Sequence, residues 1–271
     1  DCELCAVSAF CDSFNIMQFL ALHGFTGRGS DFKTLTELIG GEWHCPDLPG
    51  HGPDPQLDCT PVATVEFLER ELATIYSPLP TPKNILLGYS LGARAALQHA
   101  VAYPEVWDAL ILISPNPGIE DPAERAARRS ADEVLAQRIE RHGALAFIEF
   151  WKETPMIRSQ KNIHPEVRAR MAATRQAHTT EGLAASLRQF GQGTCPNLWP
   201  EVNRLSMPLL IISGEKDHKY TQIAKRMAPP RRTPDSPLHT QTVINSVGHM
   251  PHLEAPDETA EVIHQFLNTN L

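Results

Sequence analysis

The chain has 271 residues, 42% of them hydrophobic and 21% charged, with 24 Lys+Arg against 32 Asp+Glu and a formal net charge of −8. That length suits one large domain, or one domain carrying an insertion, around a sizeable core. The acidic balance argues against a nucleic-acid partner, because sequence-independent binding needs positive surface to displace phosphate counterions. No apolar run approaches the roughly 18 residues of a membrane span, and no repeat marks a solenoid.

Cys2, Cys5 and Cys11 crowd the first eleven residues, while Cys45, Cys59 and Cys195 are scattered. Cys2 and Cys5 have the spacing of half a zinc site, but no second Cys or His pair follows nearby, so no metal is expected. Six cysteines are too few for a disulfide scaffold in a chain this long and fit a reducing, cytoplasmic setting. The opening stretch lacks a basic segment followed by a long apolar one, so no signal peptide is expected. Met17 directly precedes the first predicted strand, and residues 1–16 read as an extension.

From Met17 onward short apolar runs alternate with helical segments, the pattern of a mostly parallel sheet wrapped by helices. The run from Met17 to Leu22 ends at His23-Gly24, and a second run near Trp43 ends at Asp47-Leu48-Pro49-Gly50-His51-Gly52. A helix is predicted from Thr60 to Tyr76, with Pro61 in its first turn where a missing N–H costs little. Asn84 to Gly88 reads as a buried strand, followed after one sharp turn by a helix from Leu91 to about Tyr103. Ala109 to Ser114 and Pro208 to Ser213 are further buried strands, Gln241 to Ile244 is a shorter one, and Thr259 to Leu267 forms the closing helix.

Residues 119–200 break this rhythm and read as helices. The first of them has Asp121 as N-cap, Pro122 at N1, Glu124 as capping-box partner and Gly143 as its stop. This block carries 12 of the 24 Lys+Arg against 10 Asp+Glu, so it is locally basic in an acidic chain. It is expected to be a helical cap over a core made of 17–118 and 201–271. The proline-rich stretch from Pro229 to Pro237 reads as an irregular loop.

Gly88-Tyr89-Ser90-Leu91-Gly92 lies between a predicted strand and a predicted helix, the context of a nucleophile elbow. The turn lifts the Ser90 hydroxyl above the strand end, at the positive end of the helix. Asp217 follows the strand ending at Ser213, and His249 follows the last strand. His249 can take the serine proton while Asp217 fixes its tautomer. Glu215 is the nearest rival for the acid and His252 for the base. His23-Gly24-Phe25 follows the first strand, so the N–H groups of Phe25 and Leu91 are expected to form an oxyanion hole. No Gly-x-x-x-x-Gly-Lys phosphate loop is present.

Arg94 lies four residues after Ser90, on the same helix face and near the helix N-terminus. A cation there opposes the helix dipole, so either an anionic ligand or an acidic neighbour is its expected partner. Arg125, Arg128 and Arg129 share one side of the first insertion helix. A solvated face is the preferred reading for Arg125 and Arg129, and Asp132 is near Arg128.

Together His23-Gly24, Gly88-Tyr89-Ser90-Leu91-Gly92, Asp217 and His249 resemble the α/β-hydrolase superfamily from Met17 to the C-terminus, with the first hairpin of that fold reduced or missing. A serine at the elbow departs from the haloalkane dehalogenases, which use Asp there. Leu22-His23-Gly24-Phe25-Thr26-Gly27, Asp47-Leu48-Pro49-Gly50-His51-Gly52, Gly88 to Arg94, Pro117-Gly118-Ile119 with Ala123 to Arg129, and Phe150-Trp151 resemble a narrower family. These are the menaquinone-pathway synthases that eliminate pyruvate to form 2-succinyl-6-hydroxy-2,4-cyclohexadiene-1-carboxylate. The resemblance implies substrate-binding roles for Tyr89, Arg94, Arg128, Trp151 and Arg175. Gly92-Ala93-Arg94 stands where those synthases have Gly-Gly-Arg, and Lys152 stands where an aromatic often follows the tryptophan.

Three functions are weighed. A lyase would use Ser90 and His249 to remove a substrate proton, with arginines holding carboxylates and no cofactor. A carboxylesterase, lactonase or thioesterase would use the same residues through an acyl-enzyme. A ligand receptor on a hydrolase scaffold is disfavoured by the complete set of Ser90, Asp217 and His249. The expected partner is a carboxylate-bearing small molecule, bound by a monomer or small homo-oligomer.

Overall fold

A computed structural model describes residues 17–75, 82–228 and 238–271. The expected extension at residues 1–16, with its three cysteines, and the proline-rich loop at 229–237 lie outside the described residues. Among the described residues six strands form one sheet: β1 (Met17–Leu22), β2 (Glu42–His44), β3 (Lys83–Tyr89), β4 (Ala109–Ile113), β5 (Leu209–Gly214) and β6 (His239–Ile244). They lie in the order β2-β1-β3-β4-β5-β6, and every described pair is parallel.

Parallel strands need crossovers, and the intervening helices cover both faces of the sheet. This is why the strand sequences read as unbroken apolar runs. Phe19, Ala21, Ile85, Leu87, Ile111, Ile113, Leu210 and Ile212 pack on one face with Phe32, Ile263 and Leu267. Leu20, Leu22, Leu86, Leu110, Leu112, Leu209 and Ile211 pack on the other with Leu68, Ala96, Leu97 and Ala224. The chain order reverses between β1 and β3, and in such sheets the crevice beyond the strand ends at that point receives ligands.

Between β4 and β5 the described residues contain helices and turns, including the helices Pro122–His142, Ala144–Lys152, Pro165–Arg175 and Thr180–Phe190. A small core of their own, Ala136, Ile139, Phe147, Ile148, Leu183 and Leu187, joins the first two and the last of these helices, while Met171 of Pro165–Arg175 packs into the first sheet-face core. Asp121 caps the first helix by accepting from the Ala123 and Glu124 amides. The reciprocal bond expected of a Glu124 capping box is not formed, so Asp121 makes the cap alone.

Candidate active site

Ser90 is the single residue between β3 and the helix Leu91–Ala102. It sits at φ 52° and ψ −101°, a left-handed conformation that costs a non-glycine residue on the order of 1–3 kcal/mol. Its amide donates to the Ile113 carbonyl at 2.9 Å, and its carbonyl accepts from Arg94 N–H at 3.2 Å. The flanking glycines permit this geometry by their lack of bulk. A Cβ on Gly92 would lie 2.0 Å from the Leu22 carbonyl oxygen, and one on Gly88 would lie 2.4 Å from that of Gly92.

The turn presents Ser90 Oγ 2.9 Å from His249 Nε2. The other ring nitrogen, His249 Nδ1, lies 2.5 Å from Asp217 Oδ2. A carboxylate can only accept, so Nδ1 carries the proton and Nε2 offers its lone pair to the serine hydroxyl. The His249 side chain is fully buried and that of Asp217 is 11% exposed. Ser114, which follows β4, donates through Oγ to the His249 carbonyl at 3.0 Å. Strand ends from distant parts of the chain thus assemble Ser90, Asp217 and His249.

The two rivals stand elsewhere. Glu215 accepts the Ser246 amide at 2.8 Å. His252 is buried against the rings of Tyr89 and Phe32. Burial and the neighbouring His249 push its pKa down to about 3.

At the end of β1, His23 Nδ1 donates to the Gly24 carbonyl at 2.8 Å, and Nε2 accepts the Leu48 amide at 2.9 Å. Burial drives the His23 pKa well below its ordinary value, which keeps the neutral ring in this two-sided role. The ring ties the turn bearing Phe25 to the Asp47–Gly52 loop. Neither the Phe25 nor the Leu91 amide has an acceptor among the described residues. For Leu91 this follows from its place as first residue of its helix.

Phe25, Ser90, Leu91, Arg94, Arg128 and Trp151 line one narrow cavity of about 40 Å³, with Gln192 and Tyr220 among the other wall residues. Arg94 is 8% exposed. It donates to the Phe190 carbonyl at 2.9 Å, its Nε has no partner, and no carboxylate pairs with it among the described residues. Arg128 bonds Asp132 at 2.8 Å and Gln192 Oε1 at 3.0 Å. Gln192 in turn donates to Tyr220 Oη at 2.8 Å, and the Tyr220 ring meets His249 edge-on at 4.5 Å. Trp151 stacks on Phe147 and meets Phe25 edge-on.

Two of the expected substrate contacts do not line this cavity. Tyr89 is buried beneath it, with its ring 5.5 Å from that of His249. Burial, followed by the nearby Glu254 charge, holds its hydroxyl pKa well above the usual value. Arg175 lines a separate cavity of about 760 Å³ in the helical insertion and donates to Gln160 Oε1 at 3.2 Å. Arg125 and Arg129 also depart from expectation. Rather than facing water alone, they hold the carbonyls of Gly193 and Cys195, because the turn after Phe190 folds back against their helix.

Sequence reasoning missed Gln192, Tyr220 and Glu254. Tyr220 stands three residues after Asp217, whose side chain accepts its amide at 3.4 Å, and that spacing was a usable signal. Gln192 carried none beyond its glycine neighbours. Among the described residues no three His, Cys, Asp or Glu side chains gather as metal ligands.

Over residues 19–262 the chain matches the alpha/beta hydrolase family, and it belongs to that family. It is an enzyme of this class. Within the class it is 33% identical over 252 residues to a Bacillus subtilis (strain 168) protein provisionally named 2-succinyl-6-hydroxy-2,4-cyclohexadiene-1-carboxylate synthase. That match covers 92% of this chain and 90% of the relative. A protein of that name from Photorhabdus laumondii is 30% identical over 254 residues, covering 91% of this chain and 84% of its own. The solved structure of MenH from S. aureus superposes with a TM-score of 0.84 at 30% identity, over 94% of this chain and 95% of that one. A thermophilic esterase from Thermogutta terrifontis, 24% identical, shares the fold with a TM-score of 0.73 over 93% of this chain and 90% of its own.

Proposed function

We propose that this enzyme eliminates pyruvate from a succinyl-enolpyruvyl cyclohexene substrate to form 2-succinyl-6-hydroxy-2,4-cyclohexadiene-1-carboxylate. The relatives' names suggest the reaction. The observation that carries it here is Arg94: a buried guanidinium on the Ser90 cavity with no carboxylate partner among the described residues. A buried cation is stable only when its charge and donors are met, and a substrate carboxylate would meet them. Arg128 and Trp151 stand on the same wall.

In this reading His249 takes the Ser90 proton, and the alkoxide removes a proton from the substrate ring. Electrons shift to expel pyruvate, first as its enolate. The Phe25 and Leu91 amides hold the negative charge that develops on oxygen, because both are free to donate. Asp217 stabilises the imidazolium. No acyl-enzyme and no cofactor is required.

The helical insertion at 119–200 acts as a cap. A cavity of about 40 Å³ has room for only a few waters, whereas ligand pockets run to about 300–1,000 Å³. Substrate entry therefore needs the insertion to shift, and Arg175 reaches substrate only in such a shifted state.

A carboxylesterase is the second reading, favoured by the free oxyanion amides beside a complete Ser-His-Asp set, which serve acyl transfer equally well. Pyruvate release from the succinyl-enolpyruvyl precursor, assayed beside a panel of short-chain esters, separates the two. Rapid pyruvate release supports the lyase. Ester turnover without pyruvate release contradicts the assignment of Arg94 to a substrate carboxylate.

A further inference from the structure

Glu254 closes the short helix Pro251–Glu254, five residues after His249. Its Oε2 accepts the Gly248 amide at 2.9 Å, and its Oε1 accepts the Met250 amide at 3.2 Å. These two amides flank His249. Oε1 also accepts from Ser159 Oγ at 2.9 Å, and Ser159 belongs to the turn Arg158–Asn162 of the helical insertion. Ser159 reaches that far because residue 248 is glycine: a Cβ there would lie 2.2 Å from Ser159 Oγ. Glu254 forms no ion pair among the described residues.

A carboxylate that takes three neutral donors, two of them on either side of the catalytic histidine, acts through geometry. The His249 ring must satisfy Ser90 at one nitrogen and Asp217 at the other, so small displacements of its backbone matter. A misplacement of about 1 Å can cost on the order of a hundredfold in rate. We propose that Glu254 is a positioning residue for His249, and that Ser159 makes this positioning depend on how the insertion is seated. The proposal rests on the reading of His249 as the base. Seating the insertion over substrate then completes the base.

The test uses the full chain and two reagents that lack the substrate's carboxylates: p-nitrophenyl acetate and phenylmethanesulfonyl fluoride, which labels a reactive Ser90. Glu254→Gln keeps the size of the side chain but replaces one acceptor oxygen by a donor. The expected result is a fall of about 10- to 100-fold in kcat, with KM within about twofold. Labelling of Ser90 slows by the same factor, and the low-field proton resonance of the His249–Asp217 hydrogen bond broadens or vanishes. Ser159→Ala loses about three- to tenfold in kcat, and the double variant is no worse than Glu254→Gln alone, because both act through one carboxylate.

Values of kcat and labelling rate within twofold of wild type in Glu254→Gln, with only a lowered Tm, would overturn the proposal and leave Glu254 a structural clamp. Additive losses in the double variant would remove Ser159 from it. If Glu254→Gln does not fold, Ser159→Ala decides: its kcat loss supports the proposal and its absence ends it. A wild-type Ser90 that resists the reagent is a different failure, since it defeats the triad reading on which the proposal stands.

Discussion

The segments after β1, β3 and β5 and the helical insertion line the same small cavity, with His249 after β6 beside Ser90, but they are held in different ways. The strand ends are embedded in two apolar layers and meet through direct hydrogen bonds, Ser90 to His249 at 2.9 Å and His249 to Asp217 at 2.5 Å. The insertion has a small core beside its contacts with the two sheet-face layers, and it reaches the site through polar bonds, Asp132 to Arg128 to Gln192 to Tyr220 and Ser159 to Glu254. The sheet brings Ser90, His249 and Asp217 within hydrogen-bond distance of one another. In the proposed mechanism the helical layer governs which substrate is read, and through the Ser159–Glu254 bond its seating also bears on how His249 is held.

Breaking the sheet side has the largest effect. Ser90→Ala should lower kcat for both pyruvate release and ester cleavage by about 10⁴-fold or more, measured by steady-state kinetics, while urea unfolding stays near wild type. In the core beneath it, Leu86→Ala should cost about 2–5 kcal/mol in urea unfolding through the cavity it leaves.

Acid acts on the joint between the two regions. His178 of the insertion accepts the Gly52 amide through Nδ1 and donates to the Thr26 carbonyl through Nε2. Burial is the leading cause that lowers its pKa to about 3, and that of the adjoining His51 to about 4. Unfolding returns both to about 6.5, so the unfolded chain binds more protons between those values. Stability is then full above about pH 6.5 and falls as the pH drops towards 4. Urea midpoints between pH 7.5 and 4.5 should decline, and a flat profile would detach these histidines from the joint. Val134→Ala, on the outer face of the insertion, should change stability by no more than about 0.5 kcal/mol, since Val134 is 64% exposed.

The strands were legible because parallel burial writes apolar runs such as Leu110-Ile111-Leu112-Ile113 directly into the chain. Ser90 was legible because an elbow needs glycine on both sides, and the order of Asp217 and His249 after their strands followed from the topology. The insertion was less readable. Arg125, Arg128 and Arg129 share a spacing that fits water as well as it fits a folded-back turn, and only the packing after Phe190 distinguishes them. Arg175 lies on a different cavity from Arg94 for the same reason: tertiary placement of short polar helices leaves little trace in their sequence.

The central claim is that a sheet-held triad supplies the chemistry and Arg94 supplies the reading of a carboxylate. The ratio of pyruvate release to p-nitrophenyl acetate cleavage, compared between wild type and Arg94→Ala, tests it most directly. The account predicts that pyruvate release falls about 100-fold while cleavage of the neutral ester stays within about fivefold. Equal losses in both activities would contradict it, because Arg94 would then be supporting the triad rather than the substrate.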